Sequence, residues 1–468
     1  MDRHSPIITR IQYTSAIEAS SGHTKPPSPL PAAPSASAPP FSAHFFDTSL
    51  SAARATYLKV LAAGVTLLGV VVFAVCAIYW GSIRSTPHHA LPGWIVDFDG
   101  GVVGQYVADS LARINAGSHG IAWRVVSADR FPGGVSQVED AIVGEAVWAA
   151  VSINAGASSS LSAALSAVDP SYNSSLAITF IGSEARNEAA YRNIILPLVS
   201  SQLEQASRTF ALQFARNISL TSNTTALLSI APEIIIQPIY YTVSNIRPLD
   251  NSLASAVTFV GLIYLLILSF FMVLVSLRAR EASGLDHLLT LRSLVCVRLS
   301  TAFGAYLFVA LFYALLSRAF HLPFDRRFGR AGFVIFWAFN WLGMLACGLA
   351  LESLVTITTV RYIPLFLLFW IISNMSVAGF PLEVLPHFYR FGYAFPFYNI
   401  SRGVRTVVFR TQDNLGLNFG VLIAWVALSC FTLSVFQWIR RRRTVAVQEK
   451  ALIESKILKS APLDGWSA

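Results

Sequence analysis

Between Lys59 and Lys450 the chain has no lysine at all, so lysine-dependent chemistry is excluded from its body. Charge of either sign is scarce, 13% of residues against roughly 25% in a soluble protein. Four cysteines occur: Cys76, Cys347 and Cys430 inside apolar runs and Cys296 at the edge of one. None falls in the long polar segment, so disulfides are not what folds it. No G-x-x-x-x-G-K-[ST] loop, G-x-S-x-G elbow or H-E-x-x-H pair occurs. ATP binding of the P-loop kind and those hydrolase chemistries are therefore absent. Nothing here looks like a self-contained enzyme, and no catalytic, cofactor-binding or metal-binding residues are expected.

What the chain has in abundance is apolar length. Hydrophobic residues make up 54% of its 468 positions, concentrated in six runs long enough to cross a bilayer, which takes about 20 helical residues. They are Val60 to Trp80, Leu253 to Leu277, Leu299 to Ser317, Ala331 to Leu351, Tyr362 to Leu382 and Leu415 to Ile439. A helix apolar on every face has no side for water, so these are membrane spans rather than soluble core. The formal charge of +9 does not point to nucleic acid. Its cations are scattered arginines at run ends plus Arg440 to Arg443, a pattern suited to a cytoplasmic membrane edge and anionic headgroups.

These features predict a polytopic α-helical membrane protein of one plus five spans. Residues 1–57, with seven prolines between Pro26 and Pro40, read as a disordered cytosolic tail, 58–82 as a retained signal anchor, and 442–468 as a second cytosolic tail. Six spans return both termini to one side, and the basic C-terminal cluster makes that side the cytosol. The loop from Arg318 to Arg330 carries four arginines and runs against the positive-inside rule, since this topology places it outside.

Residues 83–251 form the large loop, expected to fold as an extracytoplasmic α+β domain. Short β-type runs begin at Trp94, Ala122, Ala146 and Leu176, alternating with helical stretches, and an extended piece from Glu233 leads back to the membrane. Asn173, Asn217 and Asn223 stand in N-x-[ST] triplets there and are candidate glycosylation sites on that side. VDFDGG, at Val96 to Gly101, has the acidic pair of an aspartate-dependent phosphatase motif. The lysine and downstream acids of that chemistry are missing, so an Asp/Gly turn leaving a strand is the better reading.

The five-span unit, 252–441, contains an elbow at 383–413 in which aromatics alternate with arginines, a mixture suited to headgroup depth in interfacial or re-entrant helices. Arg390, Arg402, Tyr389, Tyr393, Pro386 and Pro396 are its candidate contacts for lipid or cargo, weighed against a passive aromatic belt. Asn340 and Asn374 lie within spans. They would serve a function or simply hydrogen-bond between helices. Glu352 is expected at the interface, paired with Arg361 or a cytosolic partner.

The order of these parts carries a resemblance. A span, a loop domain opening with VDFDGGVVG, the segments ITFIGSEARNEAAYRNIILP and QPIYYTVSNIRPLD, five spans and the stretch FPLEVLPHFYRFGYAFPFYNISRGVR resemble the fungal nitrosoguanidine-resistance membrane proteins, a family built on a domain of unknown function, DUF3533. The likeness covers roughly Val60 to Arg441. It implies kinship with type-2 ABC-exporter-like permeases, in which a separate ATPase drives transport, and a role in drug resistance or membrane-lipid homeostasis. The expected function is a permease-like protein of the plasma or secretory-pathway membrane, moving or sensing amphipathic small molecules or lipids, with a homodimer contact as one use of the loop domain. The alternative is a non-transporting scaffold or stress regulator.

Overall fold

The computed structural model describes residues 44–84, 86–114, 120–218, 224–251, 253–358 and 360–460. Most of the expected N-terminal tail, the acceptor Asn223 and the last eight residues lie outside the described residues. Among the described residues, five helices are long and apolar enough to cross a membrane: α1 at Thr48–Arg84, α6 at Leu253–Ser283, α7 at Leu291–Ala319, α8 at Ala331–Ile357 and the helix beginning at Leu415. The sixth apolar run yields a shorter helix, Ile363–Ser376 (α9). Its 14 residues rise about 21 Å at 1.5 Å each, less than the ~30 Å apolar core of a bilayer. These features suit a polytopic membrane protein. The first helix starts at Ser51, after a single 3₁₀ turn, earlier than composition suggested.

Two compact units divide the chain: residues up to Gly69 together with 437–468, and Val70–Phe436. In the first, none of the side chains from Ser51 to Gly69 is buried, and the Arg442 guanidinium lies 4.1 Å over the Trp438 ring.

The second unit contains both the sheet and the helix bundle. Five strands, β1 Leu91–Asp97, β2 Ile121–Val126, β3 Ala149–Ile153, β4 Ile178–Gly182 and β5 Tyr241–Asn245, form one sheet in the order β2-β1-β3-β4-β5. β1 pairs in parallel with both β2 and β3, β3 with β4 is antiparallel, and β4 with β5 is parallel. Parallel pairs need crossovers, supplied by α2 Val102–Ala112, α3 Val135–Val143 and α5 Leu196–Ile218, while α4 Ala157–Ala167 joins the antiparallel β3 and β4. Both faces are covered. Leu91, Ile95, Val151, Ile153 and Phe180 pack in one core, while the alternate positions Val96, Ala150 and Ile181 pack in another. The stretch after Glu233, expected to be extended, first makes the short helix Pro232–Ile236 before the strand at Tyr241. Pro232 at the first helical position favours that turn.

In the bundle, α8 is the central helix, and sixteen of its residues are buried. Glycines let its neighbours approach closely. A Cβ at Gly348 would strike the Tyr306 hydroxyl of α7, and one at Gly403 the Phe339 ring of α8. Tyr306 in turn donates its hydroxyl to the Ser269 carbonyl of α6 at 3.2 Å. After α9, Pro381, Pro386 and Pro396 divide the connection. Two 3₁₀ segments, Leu382–Val384 and His387–Ala394, precede α10 at Pro396–Phe409, and α11, Leu415–Ser460, follows.

Candidate functional site

The elbow meets the sheet along the loop that leaves β4. Glu184 is buried there, its carboxylate accepting the Leu249 amide at 3.0 Å, Asn245 Nδ2 at 2.8 Å and Arg192 Nε at 2.5 Å. Burial raises its pKa, but these bonds outweigh it and hold the carboxyl below its usual range. Asn187 caps the following turn through the Ala190 amide and donates Nδ2 to the Gly379 carbonyl, 3.2 Å away at the end of α9. Arg186 lies 3.5 Å over the Trp148 ring and donates to the Val147 carbonyl at 2.8 Å.

From the elbow side, Arg402 donates to Glu145 Oε2 at 2.7 Å and Arg405 to the Ala185 carbonyl at 3.0 Å. Gln412 Nε2 reaches the Gly144 carbonyl at 3.0 Å, and Val384 inserts into the core of the sheet. Sheet and elbow are therefore docked by charge-assisted hydrogen bonds and by packing.

Beside this contact lies a cavity of about 480 Å³. Tyr79 and Ile83 of α1, Phe259 and Val260 of α6, and Met375 and Phe380 at the end of α9 supply most of its apolar wall. Its charged lining is two arginines, Arg192 and Arg405, against one carboxylate, Glu188. Glu188 is fully engaged: Oε1 accepts from Arg192 at 2.7 Å and Oε2 from the Ser255 hydroxyl at 2.6 Å. Apolar walls with a few convergent polar groups are the usual make-up of a small-molecule site, and the volume falls in the common range of about 300–1,000 Å³.

A second polar cluster lies within the bundle. Glu352 of α8 is 3% exposed and pairs with Arg298 of α7 at 2.7 Å and Arg280 of α6 at 3.0 Å, while Asp286 stands 3.5 Å from Arg280. Glu352, expected to pair with Arg361 or a cytosolic partner, is instead buried between Arg298 and Arg280. Three helices meet at one carboxylate, an arrangement that a residue read on its own helix does not reveal.

The profile of a protein family of unknown function, DUF3533, matches residues 64–431. The chain belongs to the DUF3533 family. An uncharacterized endoplasmic reticulum membrane protein of Saccharomyces cerevisiae is 26% identical over 457 residues, covering 89% of this chain and 86% of the relative. No solved structure matches.

Within this DUF3533 chain, the elbow residues singled out from sequence separate into two groups. Arg390 and Tyr393 are exposed and Pro386 is partly so. Tyr389 is buried and donates its hydroxyl to the Ile78 carbonyl of α1 at 2.7 Å, Pro396 is the buried first residue of α10, and Arg402 is held by Glu145. Twelve of the fourteen α10 residues are buried, so this half of the stretch is core, not a headgroup belt. Asn340 and Asn374 each donate to the carbonyl four residues back, of Phe336 and Trp370. Asn374 Oδ1 also accepts the Phe397 amide at 3.2 Å, fastening the start of α10 to α9. The Asn340 Oδ1 has no partner among the described residues.

The phosphatase-like acids are occupied. Asp97 accepts the Asp99 and Gly100 amides, and Asp99 accepts the Gly101, Gly104 and Ser158 amides and the Ser158 hydroxyl. Asn173 is exposed and caps a 3₁₀ turn, and Asn217 is exposed near the end of α5. Sequence reasoning passed over Glu145, Glu188, Arg192, Arg280 and Arg298. Each makes an ion pair to another element or lines the cavity, and only Arg298, at the mouth of an apolar run, stood out by position.

Proposed function

We propose that this DUF3533 protein is permease-like, taking up amphipathic molecules, lipids or toxic compounds, at the cavity between sheet, elbow and bundle, and moving or sensing them in the membrane. The observation that carries this reading is the cavity itself. It has apolar walls from three membrane helices and a cationic end formed by the docked segment. The resemblance to nitrosoguanidine-resistance proteins and to type-2 exporter-like permeases supports a role in resistance or lipid homeostasis; a separate ATPase is the partner that such permeases use. The reading is non-enzymatic. The name of the yeast relative favours the endoplasmic reticulum, with the sheet in the lumen, where the exposed Asn173 and Asn217 would carry glycans.

The test is protein-dependent flux. Cells with and without the gene are loaded with a fluorescent lipid and, separately, with a toxic alkylating compound, and retention is followed. Faster loss or flipping with the protein present, abolished by filling the cavity with Gly379→Leu, is the expected result. A Cβ at Gly379 meets the cavity-lining Phe259 at 3.7 Å, so leucine there projects into the space. Unchanged retention with altered abundance of co-purifying proteins would instead favour the scaffold.

A further inference from the structure

One cation on the cavity wall makes no ion pair of its own among the described residues. Arg405 is 7% exposed, and a guanidinium stays protonated under any condition a protein meets. Its Nη1 donates to the Ala185 carbonyl at 3.0 Å and its Nε to the Ser401 hydroxyl at 3.3 Å. Both partners are neutral. Among the described residues Nη2 has no hydrogen-bond partner, and no carboxylate comes within 4.0 Å of the guanidinium to form an ion pair. Glu188 lines the same cavity and attracts Arg405 from beyond ion-pair distance, its two oxygens being hydrogen-bonded to Arg192 and the Ser255 hydroxyl. Among the described residues the other arginines buried to this degree have an ion pair: Arg280 and Arg298 share Glu352.

A buried cation without a direct ion pair is costly. Arg405 lines a space large enough for a guest. The guest that satisfies both features has an oxyanion for Nη2 and an apolar body for the walls of Phe259, Val260, Met375 and Phe380.

We propose that the cavity binds a single-chain amphiphile with an anionic head, a carboxylate or a phosphate monoester, whose oxygens lie against Arg405 while its chain lies along the apolar walls. This rests on the reading of the cavity as a site for amphipathic molecules and narrows it to one charge class. Arg405 also ties the elbow to Ala185; an anion that completes its coordination steadies that contact.

Direct binding of radiolabelled oleate, oleyl phosphate and oleyl alcohol to the purified full-length protein in detergent tests this, with inorganic phosphate as competitor. The three probes share a chain and differ in head charge. Oleate, oleyl phosphate or both should bind at least about tenfold more tightly than the alcohol, the loss expected for a hydrogen bond to a charged group. Arg405→Gln should bring that ratio close to one, Arg405→Lys should keep part of it, and Gly379→Leu should weaken all three together. Equal binding of alcohol and anions to the unaltered chain, or an undiminished ratio in Arg405→Gln, overturns the anion assignment and leaves amphiphile binding in place. Competition by inorganic phosphate as strong as by oleyl phosphate overturns the need for a chain. No binding of any tailed probe overturns the cavity reading itself. The head-group series on the unaltered chain needs no variant, so it decides even if Arg405→Gln does not fold.

Discussion

Glu145 adopts a left-handed backbone, φ 62°, a region that costs a non-glycine residue roughly 1–2 kcal/mol. That conformation turns its carboxylate to Arg402 of the elbow at 2.7 Å. The side chains are 22% and 13% exposed, sheltered enough for the pair to matter. Glu145→Gln and Arg402→Gln should each lower the melting temperature in detergent, by about 2 kcal/mol of stability. The double variant should cost no more than the worse single. Additive losses would show that the pair does not couple sheet to elbow. Asp99 offers a pH-dependent counterpart. Burial raises its pKa, but hydrogen bonds from Ser158, Gly104 and Gly101 overcome that and leave it lowered from 3.8. A carboxyl lowered by folding binds its proton more weakly in the native state. Its contribution is therefore present above the ordinary aspartate range, near pH 4, and is lost as pH falls toward the lowered native value. Hydrogen exchange of the β1 and α4 amides should accelerate over that acid interval. In Asp99→Asn, exchange should be faster at neutral pH, with a shallower acid dependence.

At the scale of elements, Glu352 joins α6, α7 and α8 by taking Arg280 and Arg298 at once. Removing its charge takes from Arg280 and Arg298 the carboxylate they share, with Asp286 still 3.5 Å from Arg280. Glu352→Gln should therefore destabilise the bundle by about 3–5 kcal/mol, read as detergent melting. Replacing Arg298 by methionine in that background should recover part of the loss, because it removes one of the stranded charges. No recovery would mean that Glu352 acts through something other than this cluster. These elements also show how far local pattern reaches. The strands were legible because Ile95 and Val96, or Phe180 and Ile181, alternate between two cores, and that period survives in sequence. Pro381, Pro386 and Pro396 announced the segmentation of the elbow. The burial of α10 was not legible. Its arginines look the same in sequence whether they face phosphate or, as here, Glu145 and the Ala185 carbonyl. Partners 257 and 220 residues away leave no trace in local spacing.

For the whole molecule, the open question is which way the bundle faces, and its charges form two layers. On α7 the twenty residues from Arg298 to Arg318 rise about 30 Å, the thickness of a bilayer's apolar core. On α8 the interval from Arg330 to Glu352 is similar. One layer holds Arg280, Arg298 and Glu352. At the other, Arg326 pairs with Asp250 at 2.6 Å, and Arg327 pairs with Asp413 at 3.2 Å and donates to the Thr411 carbonyl. The loop that seemed to break the positive-inside rule thus has two of its four arginines neutralised by carboxylates in the same layer. The rule counts lysines and arginines rather than net charge, so the loop's four are weighed against Arg440 to Arg443 together with Lys450, Lys456 and Lys459, which outnumber them. The expected orientation has both termini and the Glu352 layer in the cytosol, with the sheet and the Arg326 layer opposite. Cys296 reports on it directly: it is exposed at the start of α7, whereas Cys347 is buried. In sealed microsomes, whose outer face is the cytosolic one, an impermeant maleimide should label Cys296 without permeabilisation. A glycosidase should meanwhile shift the mobility of the unaltered chain but not of Asn173→Gln/Asn217→Gln/Asn223→Gln. Labelling of Cys296 only after the membrane is opened would reverse the orientation, and would place the cavity's arginine end on the cytosolic side instead.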